Sequence, residues 1–357
     1  MPTSSRTTDT RPSEPSGSLG PLIVRPDSSR TTFPHQHRSG GARERPAGNG
    51  TDMAAPTITR RRGRSAALRR EARTAWLMSS PALVLLLLFM GIPILLTFIL
   101  SFTNTRLISP NPPQFIGIEN FVRAFTDDPT FIRSLTNTAF FALIVVPCQS
   151  GLALALAILV NQKVKGVTAF RTMIFMPVVT SMVVVSILWS FFYQDNGLFN
   201  SMLNTVTGGG WSAIAWLNHP GTAMPAIIVL SIWQAVGFHM IIWLSGLQMI
   251  DPVLYEAADL DGVNGWQRFR YITWPGLHST MVFILVTITI AALGLFVQVD
   301  VMTSGGPQDA TSTIVYHAVR RGYREQDMGY GSSISLIFFV AVLLISLIQR
   351  WLTREKD

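Results

Sequence analysis

At 357 residues, with 48% hydrophobic and only 13% charged side chains, the chain is too apolar for a soluble protein and reads as membrane-embedded. Its formal charge of +8 would suggest a nucleic-acid or anionic-surface partner if it were spread along the chain, but it is not. One cysteine, Cys148, excludes both a disulfide framework and a cysteine metal site.

Residues 1–73 hold 14 of the 28 basic residues, all Arg, and 6 of the 20 acidic ones, so the whole excess charge resides there. This segment is rich in Pro, Ser, Thr and Gly and too poor in apolar residues to offset the entropy of ordering. It is expected to be a disordered basic cytoplasmic extension, with Met53 an alternative start. Arg60, Arg61, Arg62, Arg64, Arg69, Arg70 and Arg73 lie just ahead of the first apolar run, placed to rest on anionic membrane lipids. A nucleic-acid partner is not expected, because aromatic residues interleave this segment only at Phe33. The first apolar run starts near residue 75 and is too long for a cleavable signal.

Residues 74–357 are expected to form one all-α transmembrane domain. A bilayer core takes about 20 apolar residues per helix, because each backbone amide must bond within its own segment. Six charge-free intervals meet that requirement and predict helices near 77–102, 138–160, 173–192, 223–247, 279–299 and 332–351. Pro81, Pro93, Pro147 and Pro177 mark expected kinks. Between the third and fourth spans, Leu198, Phe199, Met202, Leu203 and Val206 recur at helical spacing and predict a short amphipathic helix along the outer face. With the N-terminus inside, 22 basic residues fall on the cytoplasmic side and 6 outside, so both termini are expected in the cytoplasm of a cell-membrane protein. Arg320, Arg321 and Arg324 in the last outer loop run against that trend.

The loop between the fourth and fifth spans, 251–278, carries the most information. Asp251 can cap free amides, Pro252 suits the first helical position, Gly262 can end the helix with a positive φ, and Asn264 can start another. Val253, Leu254, Ala257, Ala258 and Leu260 give the first helix an apolar face, while Glu256, Asp259 and Asp261 stay polar. A short helix showing both faces between two spans suits docking into another protein. The spacing of Glu256, Ala257, Ala258, Asp261, Gly262, Phe269, Ile272 and Pro275 resembles the EAA motif of binding-protein-dependent ABC importer permeases. Val263, Trp274 and His278 depart from the usual pattern. Three further groups resemble the carbohydrate-uptake branch, the half related to lactose, maltose and glycerol-3-phosphate permeases. They are Phe115, Gly117, Asn120, Phe121, Phe125, Asn137 and Thr138; Trp216, Leu217, Pro220 and Ala223; and Thr303, Gly305, Gly306, Pro307, Thr311, Gly329 and Tyr330. The resemblance covers roughly residues 75–352.

The resemblance implies a type I ABC-importer permease fold. It implies too that Glu256, Ala257, Ala258, Asp261, Gly262 and Pro275 form a coupling element seated in an ATPase subunit. The implied partners are a second permease, two ABC ATPases and an extracellular solute-binding protein that delivers a sugar or sugar-like solute. No Gly-Lys pair exists to cradle phosphates, so ATP and Mg would be used by partner subunits, and no cofactor is expected in this chain. No activated nucleophile, acid–base pair or metal-ligand spacing is legible, so the chain is not expected to be an enzyme. For the solute path, Ser231, Gln234, Ser245 and Gln248 share one face of the fourth span with Trp233 and Trp243 nearby. His239, Thr180, Ser181, Thr287 and Thr289 are further candidates. Such side chains also serve simply to join helices. The alternative function is a membrane scaffold or sensor whose loop recruits a cytoplasmic partner without moving solute.

Overall fold

The computed structural model describes residues 62–162 and 166–352, with side chains from residue 71. The expected disordered extension lies outside the described residues up to 61. The first described helix begins at Arg62 and runs to Leu86.

Among the described residues, five helices are long and apolar enough to cross a membrane: Glu71–Leu100, Pro129–Val160, Pro220–Gln248, His278–Met302 and Met328–Leu352. The sixth crossing is a broken pair, Val167–Val179 and Met182–Phe192, bent by 98°. The third span is therefore not the single helix that its hydropathy predicts. Pro177 removes an amide from the ladder, Thr180 and Ser181 turn to extended backbone, and the chain restarts in a new direction. The fifth span is interrupted at Gly294, Leu295 and Phe296, before the short helix Val297–Met302, without the sharp bend of the third, and crosses as one segment from His278 to Met302.

Span starts lie earlier than the apolar runs indicate, because caps set them. Asp128 Oδ1 accepts from the Phe131 amide at 3.1 Å with Pro129 in the first turn, so the second span begins nine residues before Thr138. His219 and Pro220 do the same for the fourth. The proline readings divide by position. Pro147 sits inside a continuous helix. Pro93 follows a widened π-turn, Leu87–Gly91, which ends two residues before it. A proline ring clashes with the carbonyl four residues back, and a wider turn makes room for it.

The core lies between the second, fourth and fifth spans, where Phe141, Val145, Ile227, Met240, Trp243, Ile284 and Ile288 are buried together. Gly237 lets the third span press against the fourth: a Cβ there would lie 2.2 Å from the Ile174 carbonyl oxygen. The first span is different, with none of its most apolar stretch buried inside the chain. The amphipathic helix Leu198–Val206 forms as expected, and the loop after it is pinned by buried Asn200. That side chain donates to the Gln194 and Ile214 carbonyls and accepts from the indoles of Trp211 and Trp216.

Candidate functional site

Three places in the bundle concentrate polar chemistry. The first is a cavity of about 210 Å³ between the second, fourth and fifth spans. Ser231, Gln234 and His239 of the fourth span line it, joined by Gln149, Gln298 and the rings of Phe141 and Phe296. The Gln149 amide lies 2.8 Å from His239 Nδ1, which is also 3.0 Å from the Ala235 carbonyl, so the ring tautomer selects its partner. Gln298 Nε2 donates to Ser231 Oγ at 3.3 Å, and Ser231 donates to the Ile227 carbonyl at 2.8 Å. Gln234 Nε2 reaches the Pro177 carbonyl at 3.5 Å, beside the break in the third span. Among the described residues, no charged side chain lines the cavity. Amides, a hydroxyl and an imidazole against aromatic faces suit a neutral polyhydroxyl ligand.

Other path candidates lie elsewhere. Trp233 packs on Trp189 with ring centroids 5.2 Å apart and lines a separate apolar hollow with Phe170, Ile174 and Pro177. Thr180 sits at the helix break, its hydroxyl 3.4 Å from the Met176 carbonyl. Thr289 is buried and accepts from Gln349 Nε2 of the last span at 2.7 Å. Ser245 donates to the Ile241 carbonyl within its own helix. A polar stripe along the fourth helix does not point to Gln149 or Gln298, because they belong to other spans. An isolated glutamine in an otherwise apolar span was the available signal.

The second place is the hairpin between the fourth and fifth spans. Asp251 caps Val253 at 2.9 Å, the helix runs Pro252–Leu260, and Gly262 ends it at φ +67° with open space around it. The positive φ alone calls for glycine there. Asn264 and Gln267 then close a reciprocal capping box. Tyr255 and Thr273 share a hydrogen bond of 3.0 Å across the hairpin, and Arg268 pairs with Asp259. A second π-turn, Phe269–Thr273, ends two residues before Pro275, the same spacing as at Pro93. The apolar face is divided. Ala258 is buried, whereas Val253, Leu254, Leu260 and Trp266 stand in the open, Leu260 at 91% exposure and Trp266 at 71%. Glu256, Ala257, Asp261 and Pro275 are exposed beside them.

The third place is the 300–330 loop, where the anomalous arginines are all spoken for. Arg320 pairs with Asp309 and Glu325, Arg321 with Asp128 and Glu325, and Arg324 with Asp300. All three are thus neutralised by carboxylates of the same chain. Asp128 is buried and meets His317 Nε2 at 2.9 Å, Arg321 at 3.0 Å and the Tyr330 hydroxyl at 2.8 Å. Burial alone raises its carboxyl pKa, but the hydrogen bonds from His317 and Tyr330 and the charges of His317 and Arg321 together hold it below the ordinary carboxylate value. His317 is pushed down by burial, more than the hydrogen bond and charge of Asp128 raise it. Its Nδ1 is buried without a hydrogen-bond partner.

A bent-span helical bundle with a polar cavity inside and an exposed apolar hairpin at one end defines a polytopic membrane protein built around a solute-sized space. The chain belongs to the family of binding-protein-dependent transport system inner membrane components, whose model matches residues 149–356. Similar proteins include the lactose transport system permease protein LacF of Rhizobium radiobacter, 35% identical over 79% of this chain and 94% of the relative. The trehalose/maltose transport system permease protein MalF of Thermococcus litoralis is 33% identical over 78% of this chain and 93% of its own length. Among solved structures, a bacterial ABC transporter involved in the import of the acidic polysaccharide alginate matches with a TM-score of 0.68. That match has 25% identity and covers 81% of this chain and 98% of the other.

Proposed function

We propose that this chain is the permease subunit of an ATP-driven importer for sugars or sugar-like solutes, with ATP hydrolysed by partner subunits. The observation that carries the reading is the 251–276 hairpin. It is internally capped and stapled, yet it leaves Leu254, Leu260 and Trp266 in the open beside Glu256 and Asp261. A patch so well shaped and so uncovered fits a groove in another protein. Family membership supports an ATPase as that protein, and relatives named for lactose and for trehalose/maltose transport support the solute class.

In this reading both termini are cytoplasmic, the hairpin faces the ATPases, a second permease completes the bundle, and a solute-binding protein docks over the 300–330 loop. Closure of the ATPases pulls the hairpin and reorients the spans. Solute passes the cavity at Gln149, Ser231, Gln234, His239 and Gln298, with Trp233, Thr180 and Thr289 outside its lining. The test is uptake of labelled sugars by cells carrying Cys148→Ser, with Ala257→Cys or Leu260→Cys added for crosslinking in native membranes. A crosslink to a nucleotide-hydrolysing subunit that depends on nucleotide state is the expected result. In the same assay Gln149→Leu with Gln234→Ala raises the half-saturating solute concentration roughly tenfold, the loss of about 1.4 kcal/mol of hydrogen bonding. Sugar import intact without this chain, or capture of a non-hydrolysing partner alone, favours the scaffold instead.

A further inference from the structure

The cavity and the hairpin are absorbed by the transport reading, but the convergence on Asp128 is not. One carboxylate joins four elements. Its Oδ1 closes the first turn of the second span at Phe131. Its Oδ2 accepts from His317 on the short helix Ile314–Val319, from Arg321 on the wide turn Arg320–Arg324, and from Tyr330 at the head of the last span. Four donors meet this one carboxylate, one at Oδ1 and three converging on Oδ2.

The second span also holds the loop at its margin. Thr130 Oγ1 lies 3.3 Å from the Asp309 carboxylate, Arg133 donates to the Gln308 carbonyl at 2.9 Å, and Asn137 donates to the Asp309 and Ser312 carbonyls at 2.9 Å each. The Ile314 amide donates to Thr138 Oγ1 at 3.0 Å. From the other side Arg123 pairs with Asp327 at 2.9 Å and lays its guanidinium 4.1 Å over the Tyr330 ring. Desolvated ion pairs contribute less net stability than apolar packing of equal volume, and their best-attested service is to fix one arrangement against its alternatives. An arrangement whose charges are cross-linked this densely behaves as one body.

We propose that Asp128 is a positioning residue that fastens the 300–330 loop to the heads of the second and last spans, so that a load applied to the loop moves both spans together. The proposal rests on the reading that a binding protein docks over this loop. Asp128 acts through His317, Arg321 and Tyr330, and it touches neither solute nor nucleotide.

The test uses the full complex of this chain with its permease and ATPase partners in lipid nanodiscs, reading ATP hydrolysis with and without the solute-loaded binding protein. Asp128→Asn is expected to keep basal hydrolysis within about twofold while stimulation falls roughly tenfold, about 1.4 kcal/mol of lost coupling. Tyr330→Phe, which deletes one donor of the four, is expected to lower stimulation about threefold and serves if Asp128→Asn does not assemble. In the Asp128→Asn chain carrying Cys148→Ser, the pair Thr130→Cys and Asp309→Cys, once oxidised, is expected to restore stimulation, and reduction to abolish it again. A merely destabilised loop would lose basal activity too and would not be rescued by a bridge at the loop margin. Wild-type stimulation in both single variants, or no recovery on bridging, overturns the proposal. A wild-type complex that no binding protein stimulates overturns the docking reading itself, a result distinguishable from the others.

Discussion

The hairpin at 251–276 and the loop at 300–330 are of similar length and each joins two spans, yet they spend their side chains in opposite ways. In the loop nearly every charge has a partner within the chain, and Asp128, His317 and Tyr330 are buried. The hairpin uses its polar groups to cap its own helices and leaves its large apolar residues in the open. A segment satisfied from within transmits what is done to it. One satisfied only in part has its remaining contacts to make with another molecule.

Substitutions sharpen the contrast. The largest effect is expected from Asp128→Ala, which strands His317 and Arg321 without their buried acceptor. Breaking a buried pair costs on the order of 3–5 kcal/mol, readable as a lower melting midpoint of the purified chain in detergent. Leu260→Ala is its counterpart, expected to leave that midpoint in place while copurification of the ATPase falls. Equal midpoint losses in the two would erase the distinction. Gly262→Val comes next, because a β-branched residue at φ +67° costs roughly 1–2 kcal/mol and shifts the end of the hairpin helix. Uptake is expected to fail while the other spans keep their melting behaviour, and wild-type uptake would show that the hairpin does not need its turn.

The smallest effect is expected from pH. Burial holds the folded pKa of His317 below its ordinary 6.5, so the folded chain binds fewer protons than the unfolded chain, and its stability is present above that value and lost as pH falls below it. A proton arriving at Nδ1 finds no acceptor there. Asp128 adds a separate loss at lower pH, below its ordinary 3.8, because its folded pKa is also depressed. The melting midpoint is expected to drop between pH 7 and 5, and His317→Gln to flatten that slope. A profile unchanged by the substitution would remove His317 from the loop's stability.

Much of this architecture is legible in the sequence because its causes are local. Charge-free intervals placed the crossings, and Asp251, Pro252, Gly262 and Asn264 delimited the hairpin through capping and positive φ, each acting within four residues. Pro177 announces a kink in the third span, but its size, 98° with extended backbone at Thr180 and Ser181, does not follow from hydropathy, which reports composition and is blind to direction. The links from Asp128 to His317 and Tyr330 cross about 190 and 200 positions and follow from packing alone. In the cavity, Gln149 and Gln298 come from separate spans, and only the folded bundle brings them to Ser231 and His239.

The wide turn at Phe269–Thr273 has a geometric consequence for the segment ahead of it. It holds one residue more than an α-helical turn, and one residue corresponds to about 100° of rotation and 1.5 Å of rise. The compass bearing of Leu260 and Trp266 relative to the fifth span is thus set by a single surplus amino acid. Excising one residue there would leave every side chain of the patch intact and aim it at the wrong quarter.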